Sequence, residues 1–236
     1  MESLLYAASY KINEHITVKI PTVGEIKEDE DNYYSTVSLI TATPYDLMAP
    51  LADVGIDFTA IDEWELFLIL FRGFQDKNTS LVFENLNFAD FEIAENKENG
   101  ERVLVNRTTG AVIDRAIHER ICNVLRKILF IDKNNKRPAN DEAKEYLIEK
   151  ARKKMKRRSR KAEKSPLDDF IISLVNTSEF PYNYSSVLGI TIYQFNASLH
   201  QVMKKVNFDK LMLGCYAGTV DTKNMTPEEL SWIKTE

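Results

Sequence analysis

The chain has 236 residues, of which 44% are apolar by type, 28% charged and 10% aromatic, enough for one sizeable core or two small ones. Eight glycines and seven prolines exclude a collagen-like or linker-rich chain, and two cysteines exclude a disulfide scaffold or a multi-cysteine zinc module. The net charge of −5 averages two unlike parts: residues 150–164 hold ten cations and one acid, giving +9, whereas the other 21 basic and 35 acidic residues give −14.

Residues 10–20 alternate around Asn13-Glu14, with Ile12, Ile16, Val18 and Ile20 apolar, which predicts a short hairpin. Thr22 and Glu25 stand at capping-box spacing behind Pro21 and open a helical turn. Residues 33–40 predict a helix that stops before Pro44, and residues 44–53 a second helix terminated by Gly55. Thr59 and Asp62 read as another capping box ahead of residues 64–71. There Trp64, Phe67, Leu68 and Phe71 share a face, and Leu66, Ile69 and Leu70 cover much of the rest. That helix is the expected centre of the N-terminal core.

Past Asp76 the period changes. Residues 80–83 and 88–94 predict strands, followed by a turn over 96–100, a strand at 103–105, a second Gly-bearing turn and a strand at 111–113. Asp114 then caps a helix with Ile117, Ile121, Val124, Leu125, Ile128 and Leu129 on one face. Residues 132–140 are polar and contain Pro138, as a linker would. Asn140 caps a long helix running to about Glu163, acidic at its start and basic at its end, as the helix dipole prefers. Helices over 167–175, 184–188, 191–206 and 209–216 and a final turn at 227–232 complete the chain.

These elements give an α+β fold that is mainly helical: a short N-terminal hairpin, a small antiparallel meander around residues 80–113, a long basic helix and a helical C-terminal lobe. The partition expected is an α+β lobe over 1–131, a charged linker and basic helix over 132–165, and a helical lobe over 166–236. The alternative is one α+β domain from which the basic helix protrudes. The longest apolar run, residues 66–71, is far below the roughly 20 residues that cross a bilayer. Residues 1–8 have neither a basic leader nor a long apolar region, so neither a membrane partner nor a secretory route is expected.

Little in the sequence points to catalysis. His15, His118 and His200 are far apart in sequence, without metal-ligand spacing, and His118 is expected on a helix surface. Cys122 falls near an apolar face and reads as a buried, inert thiol; Cys215 sits among glycines with no basic neighbour to hold it as thiolate. Neither a phosphate-binding glycine loop nor a nucleophile elbow occurs. No catalytic residue, metal ligand or cofactor is therefore assigned, and no enzyme is expected.

The candidate site is the basic run: Lys150, Arg152, Lys153, Lys154, Lys156, Arg157, Arg158, Arg160, Lys161 and Lys164. It suits an acidic protein surface, a further copy of this acidic body included, and it suits phosphates. Against nucleic acid stand the acidic pI near 5.4 and the lack of an aromatic inside the run, Tyr146 and Phe170 being the nearest. A merely solvated face is the third reading.

Three stretches carry a family resemblance. The first is Ile16-Thr17-Val18-Lys19-Ile20-Pro21-Thr22-Val23-Gly24-Glu25-Ile26, with Tyr33-Tyr34 and Pro44-Tyr45-Asp46-Leu47. The second is Gly55-Ile56-Asp57-Phe58 leading into Trp64-Glu65-Leu66-Phe67. The third is Tyr193-Gln194-Phe195-Asn196, then Leu211-Met212-Leu213-Gly214-Cys215-Tyr216-Ala217-Gly218, ending in Leu230-Ser231-Trp232-Ile233. The chain in this respect resembles poorly characterised proteins of the virion structural and tail-assembly module in tailed phages and prophages of Gram-positive bacteria. The resemblance implies a non-enzymatic role in tail assembly or in the virion, through contacts with other phage structural proteins such as tail tube or tape measure, or with itself. It implies residence in the host cytoplasm during assembly, or in the virion, and it implies no site residues. The alternative, from the residues themselves, is a nucleic-acid-binding protein using the basic helix 150–164.

Overall fold

Asn13 turns the first hairpin: its Oδ1 accepts from the backbone N–H of His15 at 2.9 Å and of Ile16 at 2.8 Å. Strand β1 (Ser9–Lys11) thereby pairs antiparallel with β2 (Thr17–Lys19), with Tyr10 opposite Val18. The computed structural model describes residues 3–97, 99–135, 137–158, 165–220, 225–226 and 231–233, and the fold is α+β with two small antiparallel sheets and a helical C-terminal region.

Helix α1 (Val23–Glu28) opens on the expected capping box, in which Thr22 accepts from the Glu25 N–H and Glu25 accepts from the Thr22 N–H. α2 (Glu30–Ile40) follows directly. α3 (Met48–Asp53) is shorter than expected; residues 44–46 form a turn in which Asp46 accepts from Thr43. It ends as a Schellman motif, with Gly55 at φ 76° and the Ile56 N–H bonded to the Leu51 carbonyl at 2.8 Å.

The next capping box is not the expected one. Asp62 and Glu65 form it, opening α4 (Glu63–Leu70), because Thr59 instead spends its N–H and hydroxyl on Asp57, at 2.9 and 2.7 Å. α4 is buried on most sides, with Glu65 and Ile69 exposed.

The meander forms in the order β3 (Glu92–Glu95), β4 (Arg102–Val105), β5 (Val112–Ile113), with Leu104 opposite both Ile93 and Ile113. The strand expected at 80–83 is absent: the N–H groups of Val82 and Phe83 both bond the Thr79 carbonyl, leaving a turn that touches β2 only through the Val18–Phe83 bridge. Residues 88–90 likewise form a 3-10 turn, because the Asn87 side chain caps the Ala89 N–H.

α5 (Arg115–Leu129) starts at Asp114 as expected. α6 (Asp141–Arg158) is capped by Asn140, whose Oδ1 accepts from the Ala143 N–H at 2.8 Å; the remainder of the expected basic helix, 159–164, lies outside the described residues. α7 (Pro166–Val175) is capped by Ser165. In place of the helix expected over 184–188, a 3-10 turn at Ser186–Gly189 leads to α8. That helix (Ile192–Tyr216) runs unbroken through the gap expected at 207–208, where Asn207 and Phe208 offer no breaker. Most of the turn expected at 227–232 lies outside the described residues.

One apolar cluster joins these elements. Phe67, Phe71, Phe74 and Phe88 pack edge to face in it, and residues as far apart as Ile16, Leu104, Leu125, Leu174 and Phe195 belong to it. Both lobes of the expected partition contribute.

Backbone contacts tie α1 to the chain entering α8: Thr22, which caps α1, forms a bridge with Thr191, which caps α8, while Val23 N–H bonds Ile190 O and Ile192 N–H bonds Pro21 O, at 2.9 and 2.8 Å. The approach is close enough that a Cβ on Gly24 would stand 3.0 Å from the Leu188 carbonyl oxygen. A smaller cluster of Ala42, Leu51, Phe58 and Leu66 lies apart, and Ile148 of α6 packs against it.

Because Phe67 and Leu174 share the larger cluster, Phe67→Ala and Leu174→Ala are expected to lower the midpoint of the same cooperative urea transition. The losses should be about 3–5 and 2–5 kcal/mol respectively. Two transitions, each sensitive to only one substitution, would contradict a shared core.

Candidate docking surface

α6 packs on α3 along one face. Ile148 enters the smaller cluster, the Lys144 ammonium lies 2.6 Å from Asp57 and 5.7 Å above the Phe58 ring, and Arg152 reaches Asp53 at 2.5 Å. Residues 144, 148 and 152 recur every four positions, so these anchors follow one helical stripe. The Lys144 contact, with a hydrogen bond from Thr59, holds the Asp57 carboxyl down to about 2.

The opposite stripe has no such anchors. Tyr146, Lys150, Lys154 and Arg157 follow each other at one-turn spacing, all exposed, with Tyr146 at 64%. Lys150, Lys154 and Arg157 have no acidic partner among the described residues. Lys153 lies 3.6 Å from Glu149 on its own helix, an exposed pair of little energetic weight. Lys156 is exposed too, and Arg158 ends the helix. Arg160, Lys161 and Lys164 lie outside the described residues.

The ten cations named from sequence are thus not equivalent. Arg152 is an anchor, whereas Lys150, Lys154 and Arg157 project away from the body. Tyr146 lies outside the basic run, yet it stands one turn before Lys150 on the same stripe, and four-residue periodicity carried back across the start of the run marks it.

A second cluster tests the enzymatic possibility. His118 is expected on a surface but is 2% exposed, because α4 covers that side of α5: its ring stacks on Phe67 at 4.4 Å and meets the tilted Trp64 ring at 5.4 Å. Its Nε2 lies 3.2 Å from the Ile40 carbonyl oxygen, an acceptor that places the ring proton there. Cys122 is buried as expected; its Sγ stands 3.4 Å from His118 Nε2 and donates to Ile40 O at 3.2 Å. A catalytic thiolate–imidazolium pair needs the opposite charge states from those this burial favours. Desolvation pushes the Cys122 thiol up to about 12 and the His118 ring down to about 4, so at neutral pH both are uncharged.

Beside them Arg126, 6% exposed, donates to Thr41 O at 2.7 Å and to Glu63 at 2.9 Å, and Lys133 reaches the other Glu63 oxygen. This is a core cluster paired through Arg126 Nη2, Glu63 and Lys133, with Arg126 Nη1 buried and without a hydrogen-bond partner among the described residues. His15, at the hairpin turn beside Glu14, and His200, with its ring 5.6 Å from Phe130, take no part in it. Among the described residues no group of three His, Cys, Asp or Glu side chains is placed to hold a metal ion, and no helix is long and apolar enough to cross a membrane.

Residues 158–235, 78 of the 236, match the family model described as the YomV second domain. The matched stretch begins at the end of α6 and takes in α7 and α8, and the likeness suggests a phage-type protein. No curated protein and no solved structure matches the chain.

Two outcomes follow for the buried cluster. An unfolded histidine titrates near 6.5, so between about pH 6.5 and 4 the unfolded chain binds a proton that the folded one excludes. His118 therefore contributes full stability above pH 6.5 and loses it on the order of 3 kcal/mol as pH falls to 4. Glu63, Arg126 and the Ile40 carbonyl are the polar groups that act on the ring. His118→Gln, which keeps an N–H for Ile40, is expected to flatten this part of the urea-midpoint profile; an unchanged slope would contradict the burial of a neutral ring. Cys122 should resist iodoacetamide in the folded protein and be alkylated only on unfolding, as read by mass spectrometry.

Proposed function

We propose that this chain is a non-enzymatic phage protein that acts in tail assembly or as a virion component, by docking the exposed stripe of α6 on acidic surfaces of other phage structural proteins. The observation that carries this reading is the division of α6 into two stripes. One is anchored by Ile148, Lys144 and Arg152; the other presents Lys150, Lys154 and Arg157 to solvent without acidic partners among the described residues. The likeness to the YomV second domain supports the phage context, and the resemblance of the N- and C-terminal stretches to tail-module proteins supports the narrower assignment. The neutral state of Cys122 and His118 supports a role without bond chemistry.

Nucleic acid is the second reading, and Tyr146 favours it, because an exposed aromatic one turn from Lys150 supplies a stacking platform within a basic stripe.

One set of substitutions separates the two. With Lys150, Lys154 and Arg157 changed to Gln, co-purification of neighbouring virion or tail proteins from phage-producing cells is expected to fall at least tenfold, with the thermal unfolding midpoint unchanged. The docking reading fails if that recovery is unaffected. If instead the wild type binds duplex DNA with an affinity that drops steeply between about 50 and 200 mM salt, and the triple variant does not bind, nucleic acid takes its place.

A further inference from the structure

Residues 75–90 form a groove. It is an open depression of about 580 Å³. Asp76, Glu84 and Asp90 line it, all exposed and without a basic partner among the described residues. Phe83 and Leu86, both buried, give it an apolar floor. The one cation on its wall, Lys77, is half-buried and donates to Ser35 at 2.8 Å. The groove is built on α2 and β2: Asn32 bonds the Asn78 carbonyl, and Glu84 N–H and Lys19 N–H bond across to Thr17 and Val82.

We infer that the stripe Tyr146, Lys150, Lys154 and Arg157 of one copy docks in the 75–90 groove of a second copy. The inference rests on the docking reading above and adds a second copy of this chain to the partners that the stripe takes. Charge complementarity selects the pair: three cations without acidic partners at one-turn spacing meet three acids without basic partners around one depression. Tyr146, 64% exposed, supplies the aromatic side chain that enters the depression, where burial of a Tyr ring contributes most to an interface. From Tyr146 to Arg157 the helix rises about 16 Å, the length over which the contact is made.

The contact forms between copies and not within one. The stripe faces away from the body because Lys144, Ile148 and Arg152 hold the other side of the same rigid helix against it. Stripe and groove are different surfaces of one chain; a contact made once between two copies leaves one stripe and one groove free, so further copies add head to tail into rings or open filaments. Four side chains cover less than the roughly 800 Å² per partner of a standard stable interface. A single contact is therefore weak, with a dissociation constant on the order of 100 µM at low salt, and it strengthens only when copies are arrayed.

Sedimentation velocity of the full chain tests this. At 50 mM salt the wild type is expected to form oligomers that grow with concentration into the hundreds of micromolar, and at 500 mM salt to be monomeric. K150Q/K154Q/R157Q and D76N/E84Q/D90N should each be monomeric alone, with wild-type thermal midpoints. Mixed in equal amounts, the two variants should form a 1:1 pair and go no further, since only one native stripe and one native groove then remain to meet. Tyr146→Ala, with its charges intact, should weaken the wild-type association about tenfold. A wild type that stays monomeric at 50 mM salt, a stripe variant that still self-associates, or a mixture that fails to pair would each overturn the inference. A monomeric wild type whose stripe variant nevertheless loses a co-purifying phage protein would sink the self-contact alone and leave the proposed function standing.

Discussion

The fastening of α6 to the body decides what the rest of that helix does. An amphipathic helix buries its apolar stripe because water expels it, but α6 has few apolar residues to bury and is held largely by charge: Lys144 on Asp57, Arg152 on Asp53, and Ile148 between them in a small cluster. Those two ion pairs are partly exposed, where each is worth little alone. Their common geometry nonetheless fixes the rotation of the helix about its axis. Once that rotation is fixed, Tyr146, Lys150, Lys154 and Arg157 are obliged to face outward, and four like-spaced groups become one surface.

The body that carries this helix is held together across the length of the chain. The residues that cap α1 and α8 are bridged to each other, and α1 approaches Leu188 so closely that a Cβ at position 24 would press on its carbonyl oxygen. Within the core, α4 and α5 meet through Phe67 and the His118 ring. The Cys122–His118 contact belongs to this packing. Two groups of a catalytic type lie within 3.4 Å, yet their desolvation drives both to the neutral state, so proximity alone conveys nothing about reactivity. The charge is polarised along the chain: a basic segment at 150–164 against other residues that are acidic by a wide margin.

Much of this architecture was legible where local chemistry settles local structure. Thr22 with Glu25, Asp114 and Asn140 each mark a helix start by a side chain that can reach its own backbone, and the meander follows from two Gly-bearing turns. The misreadings arose where local bonding competed with apolar content, as at Thr79 and Asn87, whose turns replaced strands, and at Thr59, which bonds Asp57 and leaves the capping to Asp62. They arose again where a distant element decides the matter. Nothing near His118 in sequence announces that Trp64 and Phe67 will cover it, and nothing near Arg152 announces Asp53. The candidate site was legible as a segment but not as a surface, since only the packing of α6 on α3 distinguishes its anchors from its outward cations.

The most direct measurement is a photo-activated cross-linker placed at position 154 and fired in cells producing the phage, followed by mass spectrometry of the adducts. Docking through the outward stripe requires cross-links into other polypeptide chains at acidic sites, lost when salt is raised before irradiation of a lysate. Cross-links found only to nucleic acid, or only within the same chain, would contradict it.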